Sequence, residues 1–489
     1  MGGQNPSLEQ TEMFPTLDEM SQSPSHVHQA LFAVLYHDRS PESIMEDLGR
    51  YTNFIGEDHI NEAWLAKSLY HAYPRTEDAV AAAVPVLLRI LLHHGTYPFK
   101  PPNTTQLTAR QMAIAVALLT ARDESITIRE DSTPGIVRMR HRNWNDRTRL
   151  LFQSLCDTDW SQVATPSANL REREDDEDLV AALESPPSQR KTALPVFDVA
   201  KTLPSSHSRK LDGTVSLREM RELLALVLVT SIGHVREEPN KEKAAVESTV
   251  LALLGEFPDP DGRMNWEEFQ RLTASQMPFL LMNLAILIEK GVAIKKPADT
   301  FIYPTTYTWD VPKAIQGIES EGKTSFLTMQ HISQLGLVIR RHELDPLRLL
   351  RQESPKSLSS SDIVNAFNNS PQGHILLLVR GVANKTPIIL VCALPSLTRQ
   401  LSPNTRDWIE ENPFSAPGSD SDCIVQLLPT HRVLRSTTNV ARVSANSGDL
   451  LFDLGGVKAS FTESLETGSL EEGAVKVSFS VDLIEVWGR

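Results

Sequence analysis

Residues 374–393 read HILLLVRGVANKTPIILVCA, and this stretch decides the fold class of the C-terminal part of the chain. It consists of two short apolar runs on either side of Asn384, a residue type that favours tight turns. Further apolar runs follow at 424–427, 450–454, 475–479 and 481–487, with turn residues between them at Gly448, Gly455, Gly456 and Gly468. Short apolar runs separated by turn residues predict an antiparallel β-sheet or sandwich.

The chain before these runs has the periodicity of helices instead. Apolar residues recur at helical spacing within the segments 81–92, 108–121, 147–155, 217–230, 241–254 and 279–288. Thr108 has the residue type of a helix N-cap, and Pro85 is expected in a first turn or at a kink. The sequence therefore predicts an α+β protein, in which an all-helical N-terminal region precedes a β-rich C-terminal region.

Composition along the chain predicts five segments. Residues 171–178 read REREDDED, and the six acidic residues among these eight favour a solvated linker over a binding tail. The polar N-terminus holds too little apolar surface to fold. We therefore predict a disordered N-terminus (1–25), a helical domain (26–156), an acidic linker (157–190), a second helical region (191–300) and a β-rich domain (325–489).

Net charge and cysteine content exclude several classes of protein. The 489 residues include 62 Asp and Glu against 48 Lys and Arg, so the formal net charge is −14 and nucleic-acid binding is not expected. The widely spaced Cys156, Cys392 and Cys423 indicate a reducing compartment rather than a disulfide scaffold or a zinc site. No apolar run reaches the roughly 18–20 residues of a membrane span, so we expect a cytoplasmic protein without a transmembrane segment.

The N-terminal sequence leaves two alternatives open. Met1-Gly2 invites N-myristoylation of Gly2, but Pro6 occupies the position at which that motif has Ser or Thr. An unmodified N-terminus is therefore the favoured interpretation.

Residues 259–269, DPDGRMNWEEF, resemble the latter part of an EF-hand calcium loop. With Gly262 at the sharp turn, Asp259 and Asp261 take early ligand positions and Glu268 takes the terminal bidentate position. The first ligand position then falls on Phe257, whose ring cannot coordinate a hard cation. We predict an empty, structural EF-hand-like loop, and a calcium site is the alternative.

Residues 211–219 carry a weaker echo of the same pattern. The same alignment places Ser208 and Lys210 at the first two ligand positions, and a lysine there would repel a cation. A turn before a helix is the favoured interpretation.

Motifs of common enzyme classes are absent from the sequence. It contains no HExxH zinc motif, no GxSxG nucleophile elbow, no GxxxxGK[ST] phosphate loop and no GxGxxG after a strand. The sequence therefore gives no support to these enzyme classes, and we predict no catalytic, cofactor-binding or metal-binding residue and no cofactor. An enzyme with an unrecognised site remains the alternative.

Three segments of the C-terminal part resemble the TLDc domain. They are the "lLLvrg" strand at 375–381, the "fxLxPxhxvf" segment at 423–433 and the closing "iEVWG" strand at 483–488. Upstream, the segments 149–155, 178–185 and 277–280 resemble one fungal branch, the restriction of telomere capping protein 5 family. The chain looks like a divergent member of the family. In the strand that follows 375–381, the family has glycine and aromatic residues, and this chain has Val391, Cys392 and Ala393 instead.

The resemblance implies a two-sheet β-sandwich flanked by helices, preceded by an EF-hand-like helical part. It also implies a non-enzymatic cytoplasmic protein that influences telomere capping indirectly by binding proteins, with the vacuolar proton ATPase as the candidate partner. Protection against oxidative damage is the alternative function, and a calcium-regulated module is a further one.

The closing strand carries a prediction about its two faces. Side chains alternate along a strand, so Ile484 and Val486 are expected on one face of the sheet and Glu485 and Trp487 on the other.

Limited proteolysis tests the predicted organisation. We expect the first cleavage within residues 161–190, because charge repulsion and prolines keep such a segment open to a protease. Mass spectrometry of the early fragments locates the cut. Early cleavage within 374–392, with 161–190 left intact, would contradict this organisation.

Overall fold

A computed structural model gives the architecture of the chain. The structure describes residues 23, 25–29, 59–74, 76–97, 99, 104–120, 143–156, 211, 213–232, 239–257, 259, 261–292, 328–339, 348–369, 375–394, 423–435, 442–446, 449–454 and 456–488. Most of the predicted N-terminal segment and all of the predicted linker lie outside these residues. The predicted domain boundaries therefore stay predictions.

Helices dominate the first part of the described chain. In chain order they are α1 (Glu62–Ala72), α2 (Glu77–Gly95), α3 (Ala109–Leu119), α4 (Trp144–Leu155), α5 (Leu217–Ile232), α6 (Pro239–Leu253), α7 (Trp266–Arg271), α8 (Leu280–Val292), α9 (Met329–Leu335) and α10 (Ser360–Asn369). A π-helical turn spans Leu272–Gln276 and a 3-10 turn spans Pro355–Ser357.

Strands dominate the C-terminal part. Four two-residue strands lie in the helical part: β1 (His59–Ile60), β2 (Leu107–Thr108), β3 (Val215–Ser216) and β4 (Arg263–Met264). The others are β5 (Arg348–Glu353), β6 (Ile375–Ala383), β7 (Thr386–Leu394), β8 (Cys423–Leu428), β9 (Arg432–Arg435), β10 (Arg442–Asn446), β11 (Asp449–Asp453), β12 (Val457–Phe461), β13 (Thr467–Glu472) and β14 (Val475–Gly488). This arrangement confirms the α+β class with a large antiparallel sheet in the C-terminal half.

Helix starts follow the capping chemistry of the sequence. Thr108 caps α3 as predicted, since its hydroxyl accepts from the Gln111 backbone N–H and the Gln111 side chain accepts in return. Pro85 lies inside α2 rather than in its first turn, because that helix begins earlier, with the acidic Glu77 and Asp78 in its first turn.

Contacts divide the described residues into two compact units. The first comprises the described residues of 1–226, 263–269 and 284–305, and the second those of 227–262, 270–283 and 306–489. In the first unit, Phe152 of α4 packs edge-on against Trp266, with ring centroids 5.2 Å apart, and tilts against Phe269 at 5.3 Å. Tyr73 donates to the Leu287 carbonyl at 3.3 Å. Segments from both sides of the predicted linker thus share one core.

The first unit repeats one local arrangement, which the sequence analysis did not identify. β1 pairs with β2 and β3 pairs with β4, and a helix begins directly after, or one residue after, each of these strands. Each strand contributes one buried apolar side chain, and Asn, Thr or Ser follows it. The apolar residues are Ile60, Leu107, Val215 and Met264.

The helix α2 is long and apolar enough to cross a membrane by length and composition. However, 61% of the most apolar 18-residue stretch of this helix is buried inside the protein. Burial of this kind is typical of a core helix.

The second unit is built on a ten-stranded antiparallel sheet. Its strand order is β10-β11-β12-β13-β14-β6-β7-β8-β9, and β5 also pairs with β14. One core cluster contains side chains from both halves of this sheet, including Leu377 and Leu390 from one half and Phe452 and Phe461 from the other. The predicted two sheets are therefore two halves of one continuous sheet that fold over a common core.

The strand β14 connects the two halves and bends between them. Its first part pairs with β13 as far as Ser480, and from Ser480 onward it pairs with β6. The register against β6 shifts between Val481 and Leu483, opposite Gly381. A Cβ atom at Gly381 would lie only 2.0 Å from the Ser480 carbonyl oxygen, so the bend requires glycine there.

Of the predicted turn residues, Asn384 is confirmed and Gly468 is wrong. Asn384 lies in the β6–β7 turn, with φ of 50°. Gly468 lies within β13, where a Cβ atom would come 2.6 Å from the ring of Phe479. Its small size is needed for aromatic packing rather than for a turn. Gly448 and Gly455 lie outside the described residues.

The bend in β14 gives a test of the sheet architecture. We expect Gly381→Ala to lower the free energy of unfolding by about 1–3 kcal/mol, because the added methyl group forces the two strand backbones apart. Gly473→Asn is the matched control, since Gly473 has φ of +57° with open space around it and asparagine tolerates that conformation. Urea unfolding of both variants measures the difference, and equal stabilities would contradict the role of Gly381.

Candidate functional site

His431 lies at the centre of a buried hydrogen-bond network in the second unit. The side chain is 1% exposed, and its Nε2–H donates to the Gln276 carbonyl at 2.9 Å. Its Nδ1 accepts from the Gln334 side-chain amide at 2.9 Å. The backbone N–H of His431 donates to the Ala252 carbonyl, also at 2.9 Å. This pattern assigns the neutral tautomer that carries its proton on Nε2.

Two glutamines extend the network to the neighbouring strands. The Gln276 side-chain carbonyl accepts from the backbone N–H of Val433 in β9 at 2.9 Å. The Gln334 amide also donates to the Leu427 carbonyl in β8 at 3.2 Å. Three helical segments are thereby tied to the β8–β9 turn: the end of α6, the π-helical turn and α9.

The network keeps His431 neutral. Burial lowers the pKa of its imidazole to about 4, and the bond to the Gln276 carbonyl opposes this only in part. A proton on Nδ1 would point at the N–H group of the Gln334 amide. The imidazolium would therefore lose the hydrogen bond that Nδ1 accepts from Gln334, and its new N–H would find no acceptor in this arrangement. Such a histidine serves as a fixed structural group at neutral pH.

Glu485 of the closing strand is buried and acts as an acceptor. It is 0% exposed, and it accepts from the Trp487 indole N–H at 3.1 Å and from the Gln352 amide at 3.0 Å. Ile484 and Val486 belong to the core cluster on the opposite face. The predicted alternation along this strand is confirmed. Both polar contacts bind the end of the chain to the sheet, because Gln352 lies on the neighbouring β5.

The cysteines are buried thiols. Cys156, Cys392 and Cys423 are all buried, and none of the three forms a disulfide bond. Burial raises the pKa of the Cys392 thiol, and the nearby Cys423 raises it further. A thiol that resists ionisation is a poor nucleophile and packs as a small apolar residue.

The two EF-hand-like segments are brought into equivalent positions by strand pairing. Val215 pairs directly with Met264, and each lies two residues after the glycine of its own segment. Glu219 and Glu268 each follow their paired residue by four positions. These are the positions at which an EF-hand loop carries its terminal bidentate carboxylate.

Both glutamates bind groups of the protein itself. Glu268 accepts from the backbone N–H of Asn265 at 2.9 Å, and the Asn265 side chain accepts from the Glu268 N–H at 3.0 Å, which forms a capping box. Glu219 accepts two hydrogen bonds from Arg89, at 2.9 Å and 2.5 Å.

The aspartates of the second segment were also assigned ligand positions. Asp259 turns its carboxylate to the backbone N–H of Asp261 at 3.0 Å, within a tight turn closed by Gly262. Ser208, Lys210 and Asp212 of the first segment lie outside the described residues. Within the described part of the chain, no group of three or more His, Cys, Asp or Glu side chains is arranged to hold a metal ion.

Comparison with known proteins gives two similar sequences. Each is named Restriction of telomere capping protein 5. The protein from Coccidioides posadasii (strain C735) is 27% identical over 439 residues, which cover 74% of this chain and 61% of that protein. The protein from Uncinocarpus reesii (strain UAMH 1704) is 26% identical over 462 residues, which cover 77% of this chain and 64% of that protein. The chain thus spans less than two thirds of the length of either relative.

These similarities support the predicted resemblance to that fungal family. No profile of a known protein family matches the chain, so the TLDc resemblance stays a prediction.

The hydrogen-bond partners of His431 and Glu219 were not predicted from the sequence. Gln276 and Gln334 carry no motif, and they lie 155 and 97 positions from His431 along the chain. Arg89 could have been noticed in the sequence, since it is the one Lys or Arg residue in the apolar helix α2. An arginine in such a helix needs an anionic partner, but the sequence does not identify Glu219 as that partner.

The neutral state of His431 predicts a pH dependence of stability. The unfolded chain binds a proton near pH 6.5 and the folded protein only near pH 4, so stability falls as the pH drops through this window. We expect a loss of roughly 3 kcal/mol between pH 7 and pH 4 from this group. Urea unfolding at both pH values measures it.

The control for this measurement is a second histidine variant. His431→Gln should remove this part of the pH dependence, whereas His71→Gln should retain it, because His71 is exposed on α1. An unchanged pH dependence in His431→Gln would contradict the assignment.

Proposed function

We propose that this chain is a restriction of telomere capping protein that works by binding other proteins in the cytoplasm and has no enzymatic activity. The observation that carries the proposal is its similarity, over about three quarters of its length, to two proteins of that name. The proposal includes a TLDc-type sheet, and the order of the three motif segments supports it.

The placement of the motif residues supports a non-enzymatic role. His431, Glu485 and Trp487 belong to TLDc-like segments, and each is buried and hydrogen-bonded within the fold. Catalytic groups must reach a substrate. Residues used in this way stabilise the interior, and they leave the surface of the protein for recognition.

The vacuolar proton ATPase is the proposed partner. The support is the TLDc resemblance, since that domain is associated with binding to this ATPase and with its disassembly. An effect on telomere capping would then be indirect, through the cellular consequences of altered proton pumping.

Vacuolar vesicles test this interaction directly. We expect the purified 489-residue chain to co-sediment with fungal vacuolar vesicles, to release the peripheral sector of the ATPase and to slow ATP-driven acidification. Immunoblots of the supernatant and a pH-sensitive dye give the two readouts. Absence of co-sedimentation at micromolar protein would overturn the proposed partner.

A variant of the closing strand tests whether binding needs the intact sheet. Trp487→Ala should lower the free energy of unfolding by about 3–5 kcal/mol and abolish binding, because it removes a buried ring that hydrogen-bonds to Glu485. Val475→Ala is the control, since that side chain is 56% exposed at the start of the same strand. An unchanged melting temperature in Trp487→Ala would refute this role.

A genetic measurement addresses the relatives' name. In a fungal strain with a conditional capping defect, deletion of the gene should improve growth and reduce single-stranded telomeric DNA. Equal growth with and without the gene would separate this chain from the role that the name describes.

A further inference from the structure

Arg89 occupies an unusual position in the first unit. It lies in the apolar helix α2, and its side chain is 35% exposed. Its Nη1 and Nη2 donate to the two carboxylate oxygens of Glu219 at 2.9 Å and 2.5 Å. The guanidinium group also donates to the Ser154 carbonyl at 3.1 Å and to the Leu155 carbonyl at 3.3 Å.

These acceptors form a set of oxygens suited to a cation. The Ser154 and Leu155 carbonyls belong to the last turn of α4, where carbonyl groups lack helical partners and the helix dipole favours positive charge. Glu219 adds a carboxylate bound in bidentate fashion. A carboxylate and backbone carbonyls are also the ligand types that calcium selects.

The register of the paired strands β3 and β4 relates Glu219 to the EF-hand-like pattern. Because Val215 pairs with Met264, Glu219 is equivalent to Glu268 and stands at the terminal position of an EF-hand-like segment. In a calcium-binding loop that carboxylate would turn to the metal ion. Here the two oxygens are held by a side chain from α2.

We propose that Arg89 is the resident cation at the terminal carboxylate of the first EF-hand-like segment, so that the start of α5 is held against α2 and α4 without calcium. The planar guanidinium group matches the carboxylate fork and spans to the helix end in a way that a lysine ammonium group does not. We therefore expect that calcium does not change the stability of this part of the protein. This inference rests on the EF-hand-like arrangement and is independent of the proposed ATPase partner.

The arrangement also joins two distant segments. The backbones of Cys156 and Val215 form an isolated antiparallel β-bridge, which brings the residue after α4 next to the strand β3 that precedes α5. Arg89 thus binds both Ser154 and Leu155, which precede the predicted acidic linker, and Glu219, which follows it.

Chemical rescue tests the role of the guanidinium group. We expect Arg89→Ala in the full chain to lower the melting temperature by roughly 5 °C. Millimolar methylguanidinium chloride should restore part of this loss, and tetramethylammonium chloride at equal concentration should not. In Arg89→Ala/Glu219→Gln the rescue should disappear, because the carboxylate that binds the added cation is gone.

Two controls make the test specific. Arg218→Ala removes an arginine that pairs with Glu222 on the same helix but is 76% exposed, so it should leave the melting temperature near that of the wild type. Arg89→Lys keeps the charge and should recover only part of the stability. If Arg89→Ala does not fold, hydrogen exchange of the first turn of α5 in Arg89→Lys gives the same comparison, with faster exchange expected than in the wild type.

Calcium supplies the decisive comparison for the wild type. We expect equal melting temperatures in calcium chloride and in chelator. A calcium-dependent rise that Glu219→Gln abolishes would overturn the proposal. Wild-type stability in Arg89→Ala, or equal rescue of the single and double variants, would overturn it as well.

Discussion

The second unit depends on how one strand is shared between two halves of a sheet. Strand β14 hydrogen-bonds to β13 along its first part and lies between β5 and β6 along its last part. The change of neighbours requires a bend, and the bend requires the backbone of β6 to approach without a Cβ at Gly381. Once the strand bends there, the two halves can enclose one core, because their inward faces already carry apolar side chains in alternation.

Burying the second face of such a sheet removes polar groups from water, and around the turn after β8 side-chain amides bind several of these groups. The turn after β8 would place backbone and imidazole groups out of contact with water, where an unsatisfied donor or acceptor costs about 1–3 kcal/mol. Gln276 and Gln334 bind both the imidazole of His431 and the strand backbones. The same atoms that satisfy the polar groups therefore also fix how the helical segments of this unit lie on the strands.

Sequence reasoning recovered the parts of the fold that depend on local chemistry. The cap at Thr108, the turn at Asn384 and the alternation along the closing strand each follow from neighbouring residues. It misplaced Gly468, because a glycine needed for the packing of Phe479 has the same sequence signal as a glycine needed for a turn. The partners of His431 and Glu219 could not be found, since they lie far along the chain and pairing by tertiary contact leaves no periodic pattern.

His431 and Glu485 show why a sequence motif can indicate a fold without indicating what the protein does. A buried histidine without titration at neutral pH and a buried glutamate bound to an indole are costly to replace, because each substitution leaves a partner unsatisfied in a low-dielectric interior. Such residues therefore have a structural role. The same holds for the EF-hand-like segments, since Glu219 and Glu268 stand at the terminal loop positions but bind Arg89 and a helix start. Buried residues of this kind determine the interior of the protein, whereas recognition of a partner depends on side chains at its surface.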